Sequence, residues 1–132
     1  MSRVRLHGST TLPDHGFAYS ATVGPGPLVF TAGISPVDGQ GIVTTPGDVV
    51  GQTRQCLQNL AGVLAERGAS LADVVKLTVY VAERLQADLV VAWQEVAAEF
   101  GDPVPPAMML GVTVLSYDDQ LVEIEAIAAP QE

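Results

Sequence analysis

The sequence predicts an α+β fold, a mixed six-stranded sheet carrying two helices on one face. Two observations lead there. Two stretches repeat apolar residues at spacings of three and four, each with one apolar stripe, while the segments around them are short, alternating or β-branched and end in Gly and Pro clusters. The order hairpin, helix, strand, helix, hairpin suits a sheet covered on one side only. At 132 residues the chain is long enough for one compact domain spanning 1–132, and folding would hide roughly two-thirds of its extended surface.

Phe17–Val23 and Leu28–Ile34 read as two strands joined at Gly24-Pro25-Gly26-Pro27, and they are expected to pair as a hairpin. A turn-rich loop then reaches Pro46-Gly47-Asp48, where Asp48 can cap a helix. In that helix Val50, Thr53, Leu57, Leu60 and Leu64 form the inner stripe, and Gln52, Arg54, Gln55 and Gln58 are assigned to the outer side. Gly68 follows as its stop. Ser70-Leu71-Ala72-Asp73 reads as a single turn. In Val75–Val81 strict alternation puts Leu77, Val79 and Val81 on one face and Lys76, Thr78 and Tyr80 on the other. The second helix has Leu89, Trp93, Val96, Ala97 and Phe100 as its stripe and ends at Gly101-Asp102-Pro103. Ala107–Leu115 and Leu121–Ala128 are expected to form a closing hairpin through residues 116–120.

Charge narrows the function. Six Lys+Arg against fifteen Asp+Glu give −9, and the cations are dispersed, so phosphate backbones and anionic lipid are poor partners. No nucleic acid or membrane partner is expected. No stretch approaches the ~18 apolar residues of a membrane span, and the first residues lack the apolar run of a signal peptide, so a cytoplasmic location is expected. Only 16% of residues are charged, below the average of about 25%. With one sheet face left bare by two helices, packing against other copies of the chain is the simplest way to cover it.

Chemistry-bearing residues are few. Cys56 is the single cysteine and sits within the first helical stripe region, which reads as a buried structural thiol. His7 and His15 have no acidic or thiol neighbour at a ligand spacing, so neither a metal nor a cofactor is expected. No serine lies in a Gly-x-Ser-x-Gly turn, and the Gly-rich turns lack the ending of a phosphate loop. In the last strand Val122, Ile124, Ala126 and Ala128 share the helix-facing side, leaving Glu123 and Glu125 about 7 Å apart on the other. Two solvated carboxylates at a rim, or two carboxylates at an intersubunit seam, both fit that pattern.

The segments Ala18-Tyr19-Ser20, Leu28–Gly33, Gly68–Val81, Pro106-Ala107 and Val122–Ala128 together resemble the Rid family, the YjgF-like reactive-intermediate deaminases, over nearly the whole chain in order. The resemblance implies a chorismate-mutase-like α+β fold and a homotrimer with a small-molecule cleft between subunits. It further implies hydrolysis of enamines and imines such as 2-aminoacrylate to a 2-keto acid and ammonia. In that family an arginine after Pro-Ala grips the substrate carboxylate, an N-terminal tyrosine and the Thr-Ala-Gly strand line the cleft, and the first glutamate of Val-Glu-Ile-Glu positions water. Carried onto this chain, these roles fall on Tyr19, Gly33 and Glu123, with Glu123 catalytic, while Met108 and Met109 follow Pro-Ala.

Met108 stands where the arginine is expected. A bidentate arginine contact to a carboxylate contributes roughly 1.5–3 kcal/mol, about ten- to a hundredfold in binding, so 2-imino acid deamination is expected to be weak or absent. Lys76 is the nearby cation that could compensate, and Ile34, in place of a common glutamine, is read as making the cleft more apolar. The resulting expectation is a Rid-type trimer with hydrolase-type chemistry on another substrate; the alternative is a non-catalytic ligand-binding or regulatory trimer.

Overall fold

The computed structural model describes residues 2–131. It contains six strands, β1 (Val4–His7), β2 (Ser20–Val23), β3 (Val29–Phe30), β4 (Val74–Val81), β5 (Ala107–Gly111) and β6 (Val122–Ala128), with helices α1 (Val49–Ala65) and α2 (Gln86–Phe100). A single 3₁₀ turn, Leu71–Asp73, leads into β4. Strand order in the main sheet is β3-β6-β4-β5, with β4 and β5 parallel and the other pairs antiparallel. β1 and β2 form an antiparallel ribbon tied to this sheet, because Phe17 bridges to Val104 just before β5 and the Ala18 N–H donates to the Val104 carbonyl at 2.7 Å. The α+β architecture with a mixed sheet and two helices is therefore as the patterning predicted.

Both predicted hairpins are absent. β2 pairs with β1, a strand the sequence reading passed over, and β3 pairs with β6. The Gly-Pro-Gly-Pro link has N–H donors only at its two glycines, which suits it poorly to closing a hairpin ladder. Arg3 fills it instead: its guanidinium donates to the carbonyls of Gly24 at 3.0 Å and Pro130 at 2.8 Å, and to that of Pro27. Gly26 sits at φ +144°, a backbone conformation that strains any residue with a side chain, and its open side is where the Arg3 guanidinium lies. The second correction concerns β5 and β6, which are separated by β4. β5 follows β4 through α2, and a strand-helix-strand crossover returns its second strand parallel to the first. β5 also stops at Gly111, short of the predicted Leu115.

The core lies between the helices and one face of this sheet. Leu57, Leu60 and Leu64 of α1 and Ala92 and Val96 of α2 meet Leu77, Val79 and Val81 of β4 and Val122, Ile124, Ala126 and Ala128 of β6, all buried. Leu89, Trp93, Ala97 and Phe100 are partly buried against this cluster, and Trp93 meets the Phe17 ring edge-on at 6.1 Å. Asp48 caps α1 by accepting from the Gly51 N–H at 2.9 Å, and Gly68 turns the chain out of it at φ +74°. Cys56 is fully buried, and its thiol donates to the Val122 carbonyl at 3.6 Å.

Gln52 departs from its outward assignment. It is fully buried, with Nε2 donating to the Asp119 carbonyl at 2.9 Å and the Thr45 carbonyl at 3.3 Å while Oε1 accepts from the Leu121 N–H at 2.7 Å. The side chain supplies partners to a loop backbone that has no ladder of its own. No helix among the described residues is long and apolar enough to cross a membrane.

Candidate functional site

β6 carries Glu123 and Glu125 to the face that the helices leave free, as its alternation requires. The register across the sheet makes two rows. Glu125 lies beside Thr78, which lies beside Met108; Glu123 lies beside Tyr80, which lies beside Leu110. Phe30 joins the same face through its pairing with Ile127. Apolar surface remains open there: Phe30 is 69% exposed, Met108 49% and Leu110 39%.

The two carboxylates have different partners. The Tyr80 hydroxyl donates to Glu125 Oε1 at 2.9 Å, reaching diagonally across the strand pair. That hydrogen bond, followed by desolvation and the charges of Glu125 and Glu123, raises the Tyr80 phenol above its ordinary pKa. Glu123 instead accepts from Ser35 Oγ through Oε1 at 3.3 Å. Gly33 makes room for it, because a Cβ at that position would stand 2.7 Å from Glu123 Cδ and 2.9 Å from Oε2. Any larger residue here would require the carboxylate to move from its present position. Burial, with the Glu123 charge second, pushes the Cys56 thiol well above its usual range.

Behind Ser35 stands a side chain that sequence reasoning missed. Gln120 is only 4% exposed; its Nε2 donates to Ser35 Oγ at 2.9 Å and to the Val122 carbonyl at 3.0 Å, and its Oε1 accepts from the Tyr117 N–H at 3.1 Å. From α1, Asn59 Nδ2 donates to the carbonyls of Ser35 and Val37, each at 2.9 Å. Their only sequence-level signal is polar residues where apolar ones would fit: Asn59 beside the α1 stripe and Gln120 at the mouth of β6.

Of the predicted site residues, Gly33 and Glu123 are in contact and Met108 shares their sheet face. Two strand spacings separate Met108 from β6, about 10 Å, so Met108 and Glu123 do not face one another across one cleft within a single chain. The Met109 side chain packs against the core, on the opposite side of β5 from Met108. Tyr19 lies in a different cavity, of about 370 Å³, together with Leu6, His7, Phe17 and Pro103. Its hydroxyl donates to the Pro13 carbonyl at 2.8 Å. Ile34 is partly buried against the core, its backbone bridges Ile124, and it also lines a cavity with Gly33 and Ser35. Lys76 is exposed and lines a cleft of about 330 Å³ with Phe30, Thr31, Thr78, Glu125 and Ile127. Among the described residues no three His, Cys, Asp or Glu side chains are grouped to hold a metal ion.

Comparison with known proteins agrees with this architecture. Residues 11–130 match the family model described as Endoribonuclease L-PSP. A RutC family protein of Pyrococcus horikoshii is 39% identical over 111 residues, covering 83% of this chain and 85% of its own length. The mitochondrial protein mmf2 of Schizosaccharomyces pombe is 34% identical over 132 residues, 98% of this chain and 99% of its own. Among solved structures, a protein of unknown function of the Rid family from Yersinia pestis superposes with a TM-score of 0.86 at 31% identity, covering 96% of this chain and 98% of that one. A YjgF/YER057c/UK114 family member from Mycobacterium tuberculosis gives a TM-score of 0.65 at 30% identity, over 95% and 98% of the two chains. With the fold, the glutamate-bearing last strand and these likenesses in agreement, the chain belongs to the YjgF/Rid family.

Proposed function

We propose that residues 1–132 act as one domain of a homotrimer whose intersubunit clefts take a small molecule, with Glu123 as the catalytic group and Tyr19, Gly33, Met108 and Met109 as ligand-binding positions. The observation that carries this reading is the setting of Glu123. Oε1 is held by Ser35, the carboxylate packs against a bare glycine, and the sheet face it shares keeps exposed Phe30, Met108 and Leu110. A second copy covering that face would desolvate the apolar side chains and enclose the carboxylate. It would also bring a Met108 and a Tyr19 from another chain toward Glu123, which one chain does not do.

The chemistry is hydrolysis of an imine or of the imine tautomer of an enamine. Glu123 takes a proton from water as the water oxygen bonds to the C=N carbon and returns it to the nitrogen; it then takes the hydroxyl proton of the resulting carbinolamine and passes it to the nitrogen as the C–N bond breaks, leaving a carbonyl and ammonia. No cofactor or metal takes part in this scheme. Met108 supplies no cation to a substrate carboxylate, and a carboxylate entering beside Glu123 would meet repulsion, so a neutral or differently anchored substrate fits better. The same methionine favours a second reading, a trimer that binds a ligand without turning it over. The family-model description names a ribonuclease, but a net charge of −9 with dispersed cations opposes RNA binding.

The test is an assay of pyruvate release in the presence of an enzyme that generates 2-aminoacrylate. The protein should accelerate release far less than a relative bearing arginine after Pro-Ala does, because its transition state lacks the carboxylate anchor. Equal acceleration would show that another group, with Lys76 the first to examine, does the arginine's work.

A further inference from the structure

Glu123 has two oxygens, and the structure treats them differently. The difference originates in Gln120. A carboxamide buried at 4% exposure has to be satisfied at both ends, and here its orientation is unambiguous. The Tyr117 N–H can only donate, so it faces Oε1, and the Val122 carbonyl can only accept, so it faces Nε2. The remaining Nε2 proton therefore points at Ser35 Oγ, 2.9 Å away. A serine hydroxyl has one proton; with an N–H aimed at its oxygen, that proton is directed elsewhere, and Glu123 Oε1 at 3.3 Å is the acceptor in place.

We propose that Gln120 is a positioning residue, which sets the Ser35 hydroxyl as a donor to Glu123 Oε1 and so leaves Oε2 as the oxygen that works on the ligand. This rests on the reading of Glu123 as the water-activating group. Asn59 completes the device from the other side by holding the Ser35 carbonyl at 2.9 Å, which fixes where the hydroxyl sits. The relay runs in one direction only, amide to hydroxyl to carboxylate, because both Nε2 protons of Gln120 are committed, the serine has a single proton to give, and a carboxylate without a proton can only accept. Both oxygens pass close to Gly33, where a Cβ would stand 2.9 Å from Oε2 and 3.1 Å from Oε1, so Ser35 and not the glycine is what distinguishes them.

Two measurements test it, and only the second depends on turnover. The first follows the Glu123 carboxylate carbon by ¹³C NMR in the parent, in Ser35→Ala and in Gln120→Met. Ser35→Ala keeps the Gln120 bonds to Val122 and Tyr117, so it reports on the relay without opening the loop. Both variants should move the Glu123 signal in the same direction and broaden it. A signal that moves in Ser35→Ala but stays in Gln120→Met would overturn the assignment of Gln120. The second uses a Met108→Arg background with 2-aminoacrylate as substrate. There each variant should lower kcat about tenfold with KM nearly unchanged, as expected for one lost hydrogen bond. The double variant should cost no more than either single one, and Ser35→Thr should restore most of the loss. Additive losses, or losses confined to KM, would mean that Gln120 merely supports the loop. If the NMR signals shift as stated but no protein in the set hydrolyses substrate, the relay stands and the catalytic reading of Glu123 falls.

Discussion

Met108 places an uncharged thioether at the position where the family resemblance calls for a guanidinium, and the surrounding structure shows why that exchange is tolerated. It is about half exposed on β5 and lies beside Thr78, so no buried anion is left without a partner. Arginine is close enough in length to occupy the same open position. We expect Met108→Arg to preserve the fold and to raise 2-aminoacrylate hydrolysis by about tenfold or more, the lower value of a charge-assisted contact, read as pyruvate release. A well-folded variant as inactive as the parent would favour the ligand-binding reading. Cys56 gives an independent residue-scale check on the core. Burial holds its thiol protonated well above the usual range, so it should resist a thiol-specific disulfide reagent at about pH 8 and react fully once urea unfolds the chain. Reaction in the native protein would contradict its placement. Glu123 was legible in the sequence because alternation on β6 dictates its face. Ser35 and Gln120 were not, since a hydrogen bond between residues 85 positions apart leaves no local pattern.

Among the elements, the helices and the strands β4 and β6 were readable from periodicity, whereas pairing was not. Gly-Pro-Gly-Pro reads as a turn whether its strands pair with each other or diverge, and only the Arg3 contacts show which occurs. The parallel pairing of β4 with β5 was available in principle from the strand-helix-strand order. Gln52 was misplaced because a helical wheel scores polarity and not the needs of a neighbouring loop. Gln52→Leu should therefore destabilise the fold by about 2 kcal/mol, since the Leu121 N–H and Asp119 carbonyl lose their partner, measured as a lower urea midpoint; an unchanged midpoint would mean that water replaces the amide. Tyr80 and Glu125 join β4 to β6, and the sign of their pH dependence follows from the raised phenol pKa. A folded-state value above the unfolded one stabilises fully below the unfolded pKa and is lost as pH rises through the folded one. Tyr80→Phe should thus be less stable than the parent at roughly pH 8, and the gap should close as the pH is raised past the parent's folded-state tyrosine pKa.

For the whole molecule, the arrangement of polar and apolar surface is the informative feature. Phe30, Met108 and Leu110 lie exposed on the sheet face opposite the helices, together with two glutamates that each have a specific hydrogen-bond partner. Tyr19 and Glu123, both implied by the family resemblance to line one cleft, open onto different parts of a single chain. The proposed ring of copies would resolve both facts at once, covering the apolar face and letting one subunit complete the next subunit's cleft. Surface of this kind also explains a chain with only 16% charged residues. On the proposed reading the functional unit is the assembled ring and not the monomer. The solution mass by light scattering at micromolar concentration decides this: a ring has a mass near three times 13.8 kDa, and a stable species of 13.8 kDa would contradict it.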